Sequence, residues 1–173
     1  AAEFRALNPQ ATIPTLDDDG TILTQSLAII EYLDERYPEP PLLPGSAGDR
    51  ARIRALALSI ACEIHPLNNL RVLDYLKQQL AIGADERTAW YRHWVETGLA
   101  AVDAMLVGNA SAGGFCHGDT PTLADCCLAP QIFNAQRLDC RLDHVPTVMR
   151  IHENCMSLDA FQRAAPAAQA DAA

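Results

Sequence analysis

Four prolines in seven residues, Pro38, Pro40, Pro41 and Pro44, divide this chain. Proline locks φ and removes a backbone donor, so neither a helix interior nor a central strand tolerates that density. Residues 39–48 are therefore expected to be a linker, with one structured part over 1–38 and another over 49–173. Strand signals occur only in the first part. Thr12–Leu16 is short, β-branched and apolar, Asp17-Asp18-Asp19-Gly20 follows, and then comes Thr21–Thr24. Two such runs around Asp-Gly predict a hairpin. Ser26 is expected to N-cap a helix in which Leu27, Ile30, Leu33 and Tyr37 form the apolar side and which ends before Pro38.

Beyond the prolines every periodic segment reads as helix. Asp49 to about Gln79 is one long amphipathic stretch, with Pro66 predicting a kink or break inside it. Asp85–Leu106 is a second helix, with Trp90, Trp94, Leu99, Val102 and Leu106 on its apolar side. A glycine-containing loop spans Gly108–Gly118, and Thr122-Leu123-Ala124-Asp125 then opens a third helix as a capping box, Thr122 the cap and Asp125 its reciprocal acceptor. Shorter helical pieces are expected from Pro146 to about Asn154 and from Leu158 to Arg163.

Composition narrows the function. With 49% hydrophobic and 20% charged residues the chain can bury a core, so disorder is excluded. A net charge of -9 argues against nucleic acid as a partner. No apolar run reaches the roughly 18 residues of a membrane span. Six cysteines without a CxxC pair are expected to be free thiols, which points to a reducing cytoplasm. His117, His144 and His152 lack ligand spacing, so no metal site is expected. All cations but Lys77 are arginines, a residue suited to clamping carboxylates bidentately.

Asn8-Pro9, Ile13-Pro14, Gln25-Ser26-Leu27-Ala28-Ile29-Ile30 and Thr122-Leu123-Ala124-Asp125 together resemble a cytosolic glutathione transferase. Ile64-His65-Pro66-Leu67-Asn68-Asn69-Leu70-Arg71-Val72-Leu73 narrows the resemblance to the zeta class, the glutathione-dependent cis–trans isomerases of maleylacetoacetate and maleylpyruvate. The resemblance implies an α/β plus all-α fold: the C-terminal part of a thioredoxin-like domain, then an all-helical domain. It also implies that the first strand–helix–strand of that domain and its Ser-Ser-Cys segment are not among these residues. The chain opens Ala1-Ala2-Glu3-Phe4 without methionine and reads as a piece of a longer frame. No catalytic, thiol-activating residue is accordingly assigned.

Site residues follow from the same resemblance, each beside a plainer reading. Ile13-Pro14 implies a cis bond whose main chain pairs with the cysteinyl backbone of glutathione; the plain reading is an edge-strand proline. Gln25 and Ser26, ahead of a helix, would receive the γ-glutamyl carboxylate, although a serine there can simply cap. His65, Asn68 and Asn69 are spaced to share one helix face, opposite Leu67, Leu70 and Leu73. That face is either ordinary solvent surface or, on the resemblance, places His65 and Asn69 beside glutathione. Arg71 and Arg137 are implied to bind the carboxylates of a small dicarboxylate substrate, while Arg137 also suits a helix C-terminus. Thr122 and Asp125 are structural. The implied reaction converts maleylacetoacetate to fumarylacetoacetate in homogentisate catabolism, with glutathione as cofactor in a homodimer. Maleylpyruvate isomerisation, general glutathione conjugation and a non-catalytic glutathione-binding module remain the alternatives.

Overall fold

The computed structural model describes residues 2–170. The chain forms two compact units, Ala1–Pro44 and Gly45–Ala173.

The first unit opens with a helix the sequence pattern did not announce, α1 (Ala2–Leu7). Asn8 is buried directly after it and organises the next turn: its Nδ2 donates to Thr12 O at 2.7 Å and its Oδ1 accepts from Gln10 N at 3.1 Å. The hairpin is present, but its first strand starts later than expected, after Pro14. Strands β1 (Thr15–Asp18) and β2 (Thr21–Thr24) are antiparallel, with Thr15 opposite Thr24 and Asp18 opposite Thr21. Asp19 and Gly20 have φ of 49° and 86°. Both central residues of the turn are left-handed, the geometry that matches the twist of a tight hairpin. Asp17 Oδ1 braces it by accepting from Gly20 N at 2.8 Å. Helix α2 (Ser26–Arg36) follows and buries Ile29. Tyr37, expected on the apolar side, lies beyond the helix end and is 65% exposed.

The second unit is helical throughout: α3 (Ala47–Leu58), a π-helical segment (Ser59–Ile64), α4 (His65–Asn68), α5 (Leu70–Gln78), α6 (Ala84–Val107), α7 (Leu123–Arg137), α8 (Pro146–Met156), α9 (Asp159–Ala164) and a final 3₁₀ turn. A capping box of Ser46 and Asp49, unread in the sequence, starts α3 two residues before Asp49. The core joins Ile53, Leu56 and Ala57 of α3 to Leu128, Ile132 and Ala135 of α7, with Val148 and Ile151 of α8. The buried face of α6 is Tyr91, Val95, Leu99, Val102 and Leu106. That corrects the expected stripe at its start: Trp90 and Trp94 are half-buried flankers, edge-on with ring centroids 5.7 Å apart. Gly98 lets α6 approach the π segment, because a Cβ there would lie 2.4 Å from Ile64 Cγ1.

Candidate functional site

In the first unit the expected ligand groups flank the open end of the hairpin, where Thr15 pairs with Thr24. The Ile13–Pro14 bond is cis and Ile13 is 86% exposed, so the main chain ahead of β1 is open. At the far end of β2, Gln25 is held at φ 71°, ψ 117°, a conformation few residues with a side chain adopt. This twist makes Gln25, not Ser26, the cap residue of α2: Gln25 O accepts from Ile29 N at 3.0 Å, and Ser26 is the first helical residue. No side chain caps α2, and its first-turn N–H groups have no such acceptor. The Gln25 amide donates to Gln10 Oε1 at 2.7 Å, leaving its second N–H for a ligand. An uncapped, exposed helix N-terminus with an amide and a hydroxyl beside it suits a carboxylate. Gln10, which holds the Gln25 amide, had no individual signal in the sequence, and Asn8 was read only as part of the Asn8-Pro9 motif.

In the second unit the group lies at a helix break. Pro66 has no N–H, and its ring would crowd the Cys62 carbonyl in a regular α-helix. The chain relieves this by widening just before it, where His65 N bonds to Ile60 O five residues back. The break itself comes after Pro66, at Asn69, whose φ of −64° and ψ of 144° are extended. Asn69 Oδ1 then caps α5 by accepting from Arg71 N at 3.1 Å. Its Nδ2 lies 3.4 Å from His65 Nε2, so these two residues do come together. Asn68 does not join them. It is buried, with Nδ2 donating to Ile64 O at 3.1 Å one turn back, so its amide is turned into the helix and not towards His65. Leu70, expected opposite the polar face, follows the break at Asn69 and is 72% exposed. Trp90, placed by the sequence pattern in the core, instead donates from Nε1 to Leu67 O at 2.8 Å.

Arg71 and Arg137 are both exposed, and among the described residues neither guanidinium has a hydrogen bond or ion pair. Arg137 is in the last turn of α7, near Tyr91 of α6. Burial raises the Tyr91 phenol and the Arg137 charge draws it partly back. No hydrogen bond among the described residues ties Arg137 to the His65–Arg71 group.

The remaining acid–thiol cluster is closed. Asp125 is fully buried and accepts from Thr122 N at 2.8 Å, Thr122 Oγ1 at 2.7 Å and Cys116 N at 2.9 Å. Burial pushes the Cys127 and Cys155 thiols up to about 12 and the Cys140 thiol to about 11, so none of the three is a ready nucleophile at neutral pH. Among the described residues no group of three His, Cys, Asp or Glu could hold a metal ion, and no helix is long and apolar enough to cross a membrane.

Comparison with known proteins bears on this arrangement. The glutathione S-transferase N-terminal domain family matches residues 1–41, and the C-terminal domain family matches residues 88–150. A maleylpyruvate isomerase from Ralstonia sp is 48% identical over 172 residues, covering 98% of this chain and 80% of the relative. A holo structure of maleyl pyruvate isomerase, described as a bacterial glutathione-S-transferase of the zeta class, superposes with a TM-score of 0.97 at 46% identity, covering 100% of this chain and 82% of that one. The chain belongs to the zeta class of the glutathione transferases. This zeta-class chain also matches a maleylacetoacetate isomerase from Methylobacterium extorquens AM1, solved with bound malonate and GSH, with a TM-score of 0.96 at 38% identity over 100% of this chain and 81% of that one. Its fold is accordingly part of a thioredoxin-like domain followed by the all-helical domain of the family.

Proposed function

We infer that this chain catalyses the glutathione-dependent cis–trans isomerisation of maleylacetoacetate to fumarylacetoacetate, a step of homogentisate catabolism. The observation that carries the reading is zeta-class kinship over 98% of the chain at 48% identity, with relatives named as isomerases of two closely related maleyl diketo acids. Residues 1–38 are the glutathione-binding part; the linker expected over 39–48 gives way at Ser46 to the cap of α3, from which the helical domain runs on.

Glutathione, when held by these residues, would supply a nucleophilic thiolate for reversible addition at the cis double bond and would be recovered unchanged. The exposed main chain at Ile13-Pro14 suits strand-like pairing with its peptide backbone. The uncapped α2 terminus, with Ser26 and the spare N–H of Gln25, suits its γ-glutamyl carboxylate. His65 and Asn69 serve the glutathione side. Arg71 and Arg137, whose guanidinium groups are unspent, hold the carboxylates of a small dicarboxylate. Anchoring the carboxylates leaves the central bond free to turn. Thiol activation is assigned to none of these residues. Its partners are the small dicarboxylate and a second copy in a homodimer, and its free thiols suit the cytoplasm.

Maleylpyruvate is the second substrate reading, favoured by the Ralstonia relative's name. A conjugating transferase or a non-catalytic glutathione-binding module would have no use for two unspent arginines. The test is an absorbance assay of the purified protein on maleylacetoacetate and on maleylpyruvate, with and without glutathione. Fast turnover of maleylacetoacetate that requires glutathione is expected. A folded, glutathione-binding protein that turns over neither substrate overturns the reading; preference for maleylpyruvate replaces the substrate.

A further inference from the structure

The break between α4 and α5 leaves two backbone groups without their helical partners. In a continuous helix Leu67 O would accept from Arg71 N–H. Here Arg71 N–H goes to Asn69 Oδ1 at 3.1 Å. The Leu67 carbonyl is taken instead by the indole N–H of Trp90, 2.8 Å away on α6. The break is therefore held from both sides: by Asn69, which belongs to the polar group itself, and by Trp90, which reaches it from α6. An unsatisfied carbonyl on a half-buried turn favours closing the helix or fraying it. Either change would move Asn69 off the α5 cap, and with it the spacing of His65, Asn69 and Arg71.

We propose that Trp90 is a positioning residue for substrate binding: its N–H holds the break at Leu67–Asn69 open so that α5 presents Arg71 in its binding orientation. The proposal rests on the assignment of Arg71 to the substrate carboxylate made above. Trp90 is a link between α6 and this group. Its ring packs edge-on against Trp94, and its helix buries Tyr91 and Val95 one step further on, so the indole is anchored on the rigid side of the contact. The carbonyl it holds belongs to the helix break.

The test compares the wild-type protein, Trp90→Phe and Arg71→Ala by amide hydrogen exchange and by steady-state kinetics on maleylacetoacetate. Trp90→Phe keeps an aromatic ring and removes the donor. Faster exchange at Arg71, Val72 and Leu73 is expected, together with about a fivefold rise in KM for the diketo acid, the effect of losing one ordinary hydrogen bond. The kcat should stay within about twofold, because the lost bond acts on binding rather than on the reacting atoms. Unchanged exchange over residues 71–73 overturns the proposal. So does faster exchange with an unchanged KM, which would make the bond merely structural. If Arg71→Ala leaves KM unchanged, the assignment of Arg71 fails and the proposal falls with it; the wild-type assay still reports separately on the isomerase reading. Should Trp90→Phe not fold, benzothienylalanine at position 90 keeps the bicyclic shape, replaces the N–H by sulfur and is judged by the same outcomes.

Discussion

Helices α3 and α7 start with the same device in two surroundings. At α3, Asp49 Oδ2 accepts from Ser46 N at 2.9 Å and from Ser46 Oγ at 2.7 Å. At α7, Asp125 Oδ2 accepts from Thr122 N at 2.8 Å and Thr122 Oγ1 at 2.7 Å. The local bonds are nearly superposable; the second carboxylate oxygen differs. Asp49 Oδ1 faces the His117 ring at 3.7 Å from a side chain that remains 37% exposed. Asp125 Oδ1 is sealed from water, accepting from Cys116 N at 2.9 Å with Cys155 Sγ at 3.8 Å. A cap residue and an acid three positions later form the box in both places. What the box is worth depends on which distant segments the fold brings to the spare oxygen.

Three substitutions and a titration sharpen this contrast. Asp125→Ala should have the largest effect. It strands two buried backbone N–H groups and a buried hydroxyl, costing about 4 kcal/mol, or a drop of roughly 10 °C in melting temperature for a chain of this size. A loss no greater than that of Ser46→Ala would break the distinction between the boxes. Thr122→Ala should follow, at about 2 kcal/mol, the upper end for a helix cap because the site is dry. Ser46→Ala should cost about 1 kcal/mol, with urea denaturation as the measurement for both. The smallest effect is the pH response of the open box. Its Ser46 hydrogen bonds, side chain first, hold the Asp49 carboxyl below the ordinary value of 3.8. A folded value that is lowered gives stability above the unfolded value and loses it as pH falls toward the folded one. The advantage of wild type over Asp49→Asn should therefore be constant near neutrality and shrink as pH falls below about 3.8. Growth of that advantage in acid would contradict the bonding at Ser46.

Features made by neighbours in sequence were readable. Asp-Gly between β-branched runs marked the hairpin, Thr122-Leu123-Ala124-Asp125 marked the α7 box, and Pro66 marked a disturbance in a long helix. The Ser46–Asp49 box has the same spacing and passed unread because the proline run masked the start of α3. The order of these motifs sufficed to recognise the family. The candidate site was legible only in part. His65 and Asn69 are four residues apart and meet as spacing implied. Asn68 does not join them, because its buried amide turns back to the Ile64 carbonyl, a contact that spacing does not encode. Ser26 was displaced from the cap by the positive φ of Gln25, a conformation that glutamine does not advertise. Trp90 had no signal for its role, since an indole at an apolar helix position reads as core.

The amino-acid order by itself determined the hairpin, the helical character of everything after the prolines, the α7 cap and membership of the zeta class. Each rests on bonds or periodicities within a few residues, or on motif order along the chain. Only the tertiary structure decided that Asp125 is dry while Asp49 is not, that the helix breaks at Asn69, and that Trp90 satisfies the carbonyl this break strands. Those outcomes depend on partners 9, 23, 30 and 68 residues away in the chain for Cys116, Trp90, Cys155 and His117 respectively. A buried polar group takes its partner from whatever the packing of other helices delivers, and no local pattern encodes that delivery.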